Sequence, residues 1–306
     1  SLALLTVLGA DAVSHTPRQN PSGEPWILAP MLAAAGDMKP VPQLGESRFM
    51  TMNDATFRVF FQRTRDAQKT FVIVRLAALG NSNLIDGVPS VQGFFSLYLR
   101  EANHLRYLSV AVTNPVVSPF LDLLGVSQIT RPGTDTEWQH RPTHLPLVSG
   151  GQRLEFREER EMLRRLADPS FDPRAEVLLC PEVRTEVGEG ARTEAEIGSV
   201  AVGSQRVTAD VRFAGPGMLL VSQSWYPCWR AWVGSKPAKV YRVNHAFQGV
   251  AVPAGRHRVC LVYEDRSFLG GMAVSVILVV AALRALVVCE NRRVRRPVCG
   301  LFGGGR

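Results

Sequence analysis

The 306-residue sequence is poor in cysteine, with only five. Their number is odd, and no CxxC pair or Cys/His cluster with zinc spacing occurs, so neither a disulfide scaffold nor a zinc ribbon organises the fold. Cys180, Cys228 and Cys260 fall in the main body, whereas Cys289 and Cys299 flank the C-terminal tail. The nearest approach to a metal motif is His140 and His144, and Pro142 between them prevents the helix that would put both on one face. No metal site and no cofactor are expected. No internal repeat is visible. Acid is missing from the last sixteen residues, which hold Arg292, Arg293, Arg295, Arg296 and Arg306. Taking those five from the net charge of +8, and cancelling Arg284 against Glu290, leaves +3 over the first 283 residues. That body has no electrostatic footprint for DNA or RNA, so a nucleic-acid partner is excluded.

Apolar residues, by contrast, make up 46% of the chain. Wholesale disorder is therefore excluded, and one large or two modest cores are expected. From Gly270 to Val288 the sequence GGMAVSVILVVAALRALVV carries a single charge. A helix of that length spans ~28 Å, close to the hydrocarbon thickness of a bilayer. Arg284 lies near its inner end, within reach of the headgroups. The basic run Arg292, Arg293, Arg295 and Arg296 follows at once, and such a run marks the cytoplasmic side. At the other end, SLALLTVLGA is apolar for ten residues, too short to span a bilayer, and lacks the charged start of a signal peptide. It is expected to be the end of an upstream membrane helix that emerges at Asp11.

The body divides by grammar. Residues 11–47, rich in proline, are expected as an extended connector. Residues 48–174 mix patterns in the manner of an α/β-type region. Thr70 to Leu76 (TFVIVRL) is β-branched and predicts a buried strand. Helices are predicted over Leu97 to Leu108, Phe120 to Leu124 (ended by Gly125) and Glu155 to Ala167, with a strand over Val126 to Thr130. Residues 175–267 read differently. Val207, Ala209, Val211 and Phe213 alternate with Thr208, Asp210 and Arg212, and further short strands follow from Met218, Trp229, Lys239, Gly249 and His257. Turn signals separate them, including Gly234-Ser235, Asn-His and Pro-Ala-Gly, so an antiparallel β-sandwich is expected. Gly234-Ser235 suits a type II′ hairpin. The expected whole is an α+β extracytoplasmic region, the sandwich, a transmembrane helix at 268–289 and a basic cytoplasmic tail at 290–306.

The stretch from Leu219 to Gly271 carries a family pattern. An apolar strand leads to Tyr226, Pro227 and Trp229; Val233 and Lys236 flank a hairpin; Asn244, Phe247 and Val250 share a strand; Pro253, Gly255 and His257 precede Tyr263, Ser267 and Phe268 at the start of the span. This block resembles the C-terminal end of the bacterial YfhO family of polytopic membrane proteins. GVPSVQGFFSLYLREANHL (87–105), LDLLGVSQI (121–129), and Asp11 with Asn20-Pro21 are similar to further parts of that family. Three departures stand out: Cys228 in place of glycine, Gly234-Ser235 in place of Asp-Gly, and Phe94-Phe95 in place of a Gly-Tyr run.

The resemblance implies a parent protein of the bacterial plasma membrane that is a multi-pass glycosyltransferase of the GT-C type. Such a protein takes sugar from a polyprenyl-phosphate carrier and passes it to an envelope glycan outside the membrane. The catalytic acids of that architecture lie in loops that have no counterpart in this chain. It is therefore expected to be an accessory portion of a larger protein, with no catalytic residue of its own. Asp54, Asp86 and Asp122 are expected as loop or cap carboxylates. Trp225, Tyr226, Trp229 and Trp232 could stack on sugar rings, but strand alternation keeps the three indoles from sharing one face, so core and membrane-belt roles compete with glycan contact. Membrane lipid is the expected partner in either case. A non-enzymatic, membrane-anchored envelope protein that binds glycan or another protein is the alternative. A Cys228–Cys260 disulfide is chemically allowed outside the membrane.

Overall fold

The computed structural model describes residues 2–19, 24–29, 38–62 and 66–294. In chain order its helices are α1 (Leu2–Gln19), α2 (Asn53–Phe61), α3 (Ala67–Leu76), α4 (Asn83–Asp86), α5 (Arg100–Val110), α6 (Pro119–Leu123), α7 (Glu159–Ala167), α8 (Arg184–Val187) and α9 (Arg266–Val294). Its strands are β1 (Arg48–Met50), β2 (Val126–Thr130), β3 (Trp138–His140), β4 (Val148–Gly150), β5 (Arg153–Phe156), β6 (Glu176–Leu179), β7 (Ala195–Val202), β8 (Arg206–Phe213), β9 (Gly217–Ser224), β10 (Trp229–Val233), β11 (Lys236–Ala238), β12 (Val240–Val243), β13 (Phe247–Val252) and β14 (Gly255–Tyr263).

The alternation at 206–213 is realised in β8, where Val207, Ala209, Val211 and Phe213 are buried. β8 sits in a five-stranded sheet ordered β11-β10-β14-β8-β7. A six-stranded sheet, β4-β9-β13-β12-β6-β5, lies beside it. Val211 and Val259 from the first sheet and Leu219, Val221 and Val250 from the second share one apolar cluster. Met218 and Leu220 of β9 point the other way, into a second cluster with Leu105 of α5, Leu121 of α6 and Met162 of α7. The MLLV run is therefore buried throughout, as expected of a strand covered on both faces. A small sheet, β1-β2-β3, completes the mixed α/β body.

Two features separate this body from a self-contained antiparallel sandwich. β5 and β6 pair in parallel, and β4 and β5 come from before residue 175. One sheet is thus built from both of the segments that composition distinguishes. The hairpin at Gly234-Ser235 follows expectation: Val233 pairs with Lys236, and Gly234 takes φ 61° while Ser235 does not turn positive, the type II′ pattern. Gly125 likewise ends the α6 turn at φ 73° before β2.

Other local expectations change. Thr70 to Leu76 is helical, within α3, rather than a strand. Asp66 accepts a hydrogen bond from the Lys69 amide at its N-cap. At the other end Arg75 is buried and donates to both carboxylate oxygens of Asp86 at 2.8 and 3.0 Å and to the carbonyls of Ile27 and Ala29. β-Branched residues cost a helix only a few tenths of a kcal/mol each, less than an ion pair of this kind is worth in place. Glu155 and Phe156 belong to β5, and the charged helix begins only at Glu159, because pairing with β6 claims residues 153–156. α1 runs through Asp11 to Gln19, so regular structure reaches into the expected connector; no proline interrupts it before Pro17.

α9 continues from β14 after only Glu264 and Asp265, and Asp265 accepts from the Phe268 amide as its cap. Among the described residues it alone is long and apolar enough to cross a membrane, and none of its stretch Arg266–Leu286 is buried against the body. Arg284 is exposed on it. Arg292 and Arg293 continue the helical backbone, while Arg295 and Arg296 lie outside the described residues.

Candidate functional site

The four aromatic residues for which glycan contact competed with core and membrane-belt roles do not form one platform. Trp229 is buried between the sheets, edge-on to Tyr263 at 5.6 Å. Trp225 is half-buried, and its indole donates to the Val240 carbonyl at 3.1 Å. Trp232 follows the buried Ala231 and lies on the other face of β10. Tyr226 is 40% exposed, with its ring 6.3 Å from that of Tyr263. Tyr226, Trp229 and Tyr263 therefore gather at the end of β14, beside the start of α9.

The carboxylates singled out in the sequence are all engaged. Asp54 pairs with Arg58 on the surface at 3.0 Å, and Asp86 holds Arg75. Asp122 accepts from Arg141 at 2.8 Å, Thr143 at 3.0 Å and Arg174 at 3.1 Å. Arg141 is 0% exposed and also donates to the carbonyls of Pro115, Ser118 and Val126, so this cluster is a clamp on the α6–β2 segment. Burial lowers the Arg141 pKa and Asp122 works against that lowering. Glu264 lies 3.9 Å from Arg266.

Cys228 and Cys260 are free. The strand register explains why. Glu264 donates to the Cys228 carbonyl, so Cys228 stands opposite the end of β14, four residues beyond Cys260. That offset is ~13 Å along a strand, whereas a disulfide needs Cα atoms within about 7 Å.

Two constellations escaped the sequence reading. The first is a polar cavity of about 230 Å³ between α5, β1 and β9, with Arg48, Gln92, Arg106, Ser222 and Gln223 in its wall. Arg48 donates to the carbonyls of Leu124 and Ser222 at 3.0 and 2.8 Å, and burial pushes its pKa down to about 10, which still leaves it charged at neutral pH. The Ser222 hydroxyl and the Gln223 carbonyl oxygen are buried without a hydrogen-bond partner.

The second lies one helix face away. His104 on α5 places Nδ1 3.0 Å from Nε2 of His245. Glu159, the first residue of α7, lies 4.0 Å from the other nitrogen of His245. His245 occupies the turn between β12 and β13, where it and Asn244 adopt φ 72° and 45°. Asn244 pins that turn by accepting from the Leu178 amide at 2.8 Å. Burial pushes the His245 pKa down to about 4; Glu159 opposes the shift, and His104 and Arg242 add to it. The His245 ring is thus neutral, a donor of the kind metals bind. Arg100 lies 3.9 Å from Glu159, and Glu101 joins Arg100 to Arg242 at 2.8 and 3.0 Å. Neither His140 nor His144 belongs to a metal-competent group among the described residues. The one sequence signal for this cluster was the Asn-His pair, two of the non-glycine residues that most readily take the left-handed conformation of a tight turn.

No protein-family profile matches the chain, and no curated protein matches it. Among solved structures, the cryo-electron microscopy structure of the arabinofuranosyltransferase AftD from Mycobacteria is similar at a TM-score of 0.22 and 26% identity, over 30% of this chain and 8% of that one. A mutant form of the same enzyme gives a TM-score of 0.23 and 29% identity, over 29% and 8%. The likeness is weak and partial, reaching less than a third of this chain and 8% of that enzyme.

Proposed function

We propose that this chain is the extracytoplasmic C-terminal portion of an integral membrane protein that handles polyprenyl-phosphate-linked sugars for envelope glycans, and that its role there is accessory rather than catalytic. One observation carries the reading: α9 leaves β14 after two residues, and its apolar stretch Arg266–Leu286 is unburied. A 21-residue apolar stretch of ~32 Å that is not buried against the body is stable only with another apolar environment, and a bilayer supplies one. The resemblance to YfhO proteins covers this same junction. Tyr226 and Tyr263 sit where a headgroup belt would lie, which favours membrane contact over a sugar platform. The mixed body beyond them is the part outside, and the arginine tail is cytoplasmic.

A reporter fused after Arg306 should therefore be cytoplasmic, and one inserted in the loop near Gly190 extracytoplasmic. The opposite labelling would overturn both topology and function. The purified chain in lipid should not turn over a labelled polyprenyl-phosphate sugar. Turnover abolished by Glu264→Gln would instead place an active site at the membrane base of the body.

A further inference from the structure

We propose that His104, His245 and Glu159 bind a divalent transition-metal ion of the zinc class, which ties α5 and the start of α7 to the turn between β12 and β13. The inference is independent of the glycan reading and of the membrane topology.

The distances suit a shared ion. Two imidazole nitrogens ~2.1 Å from one metal stand about 3.0 Å apart at a right angle and about 3.4 Å apart at the tetrahedral angle. His104 Nδ1 and His245 Nε2 are 3.0 Å apart, so a metal can replace the proton between them once the two rings turn enough for their lone pairs to converge on it. One donor atom from each of the three residues lies within 4.8 Å of the other two. Glu159 approaches His245 from the Nδ1 side, and its partly exposed carboxylate, held by Arg100 only at 3.9 Å, is free to swing toward Nε2 and close the third corner. Two imidazoles and one carboxylate form a donor set for zinc, cobalt, nickel or iron(II), and leave positions for water on the exposed side.

The backbone gives an independent reason. A positive-φ backbone is uncommon away from glycine, although asparagine and histidine adopt it more readily than most residues. At φ 72° this chain carries a histidine, 2% exposed, whose two ring nitrogens lie 3.0 Å from His104 and 4.0 Å from Glu159. Hydrogen bonds to β6 hold the turn in that shape, so the ring is aimed by a scaffold that spends stability to aim it. The surrounding charges, Arg100 and Arg242 against Glu101 and Glu159, balance before the ion arrives. A site of that neutrality with two nitrogen donors should discriminate against magnesium and calcium, which take oxygen ligands.

The test is titration of the full chain in detergent or lipid with zinc chloride and, separately, with cobalt chloride, followed by calorimetry and by the visible absorption of cobalt. His104→Gln, His245→Asn and Glu159→Gln are the single variants, and His104→Gln/His245→Asn the double. Asparagine tolerates the left-handed turn, so His245→Asn should keep the metal-free circular dichroism and melting midpoint of the wild type. The expected result is one zinc per chain, at least tenfold weaker in each single variant and lost in the double, with no comparable binding of magnesium or calcium. A cobalt absorption band should appear in the wild type and be absent from the double variant. Equal zinc binding by the wild type and the double variant would place the metal elsewhere, for instance on the cysteines, and overturn the proposal. So would absence of zinc binding by the wild type, or equal binding of calcium.

Discussion

Val211→Asp should unfold the sheet-rich body, whereas Arg212→Asp, one residue along the same strand, should leave it intact. Val211 is 4% exposed and lies in the cluster shared by the two sheets, with its neighbours Ile197 on β7 and His257 on β14 in register. Replacing it removes about 1.5–3 kcal/mol of apolar burial and places an unpaired carboxylate in a dry layer, at a cost of several kcal/mol more. That sum approaches the whole stability of an ordinary domain. The Arg212 side chain is 56% exposed. An aspartate there turns the 3.6 Å surface pair with Glu196 on β7 into a like-charge pair, but it also turns the like-charge pair with Arg256, directly opposite on β14, into an attractive one, so the two exposed changes offset. The net change should stay within about 1 kcal/mol. Limited proteolysis and thermal melting of the two variants decide the matter, and equal losses would mean that the register of β8 is wrong.

Asp122→Ala should be nearly as damaging, through charge rather than volume. It strands the fully buried Arg141 guanidinium without a counter-ion and removes the acceptor of Thr143 and Arg174. Breaking one side of a buried pair costs about 3–5 kcal/mol, because the remaining charge is uncompensated. Asp54→Ala is the matched control, since its partner Arg58 is exposed and also held by Asp135 and by the Thr134 carbonyl. Exposed pairs contribute at most about 1 kcal/mol. A urea titration that gave both variants the same midpoint would show that the Asp122 cluster is not in a dry interior.

How far the sequence is legible depends on how local the cause is. β8, β10, the Gly234-Ser235 hairpin, the α6–Gly125–β2 unit and the apolar helix near the C-terminus follow from period, turn chemistry and length, which act over a few residues. Thr70 to Leu76 misleads because the decisive interaction, Arg75 with Asp86, is tertiary. The parallel β5–β6 pairing is concealed for a similar reason, since the charged pattern of α7 masks the strand in front of it. The aromatic residues near Trp229 were visible as a group, but their dispersal between core, strand face and membrane end depends on register. The His104–His245 contact joins positions 141 residues apart, on a helix and a turn that nothing local connects. Only the Asn-His turn signal left a trace in the sequence.

The two-residue junction between β14 and α9 also has a mechanical meaning. β14 is the middle strand of its sheet, flanked by β10 and β8 along most of its length. A pull or tilt of α9 reaches the body along the axis of that strand, at right angles to its ladder hydrogen bonds. Bonds so arranged share the load together in shear, rather than opening one by one as a zipper does. The body is thus mounted on its strongest grain, and a sideways displacement of α9 would be delivered first to the centre of the fold and only afterwards to its edges.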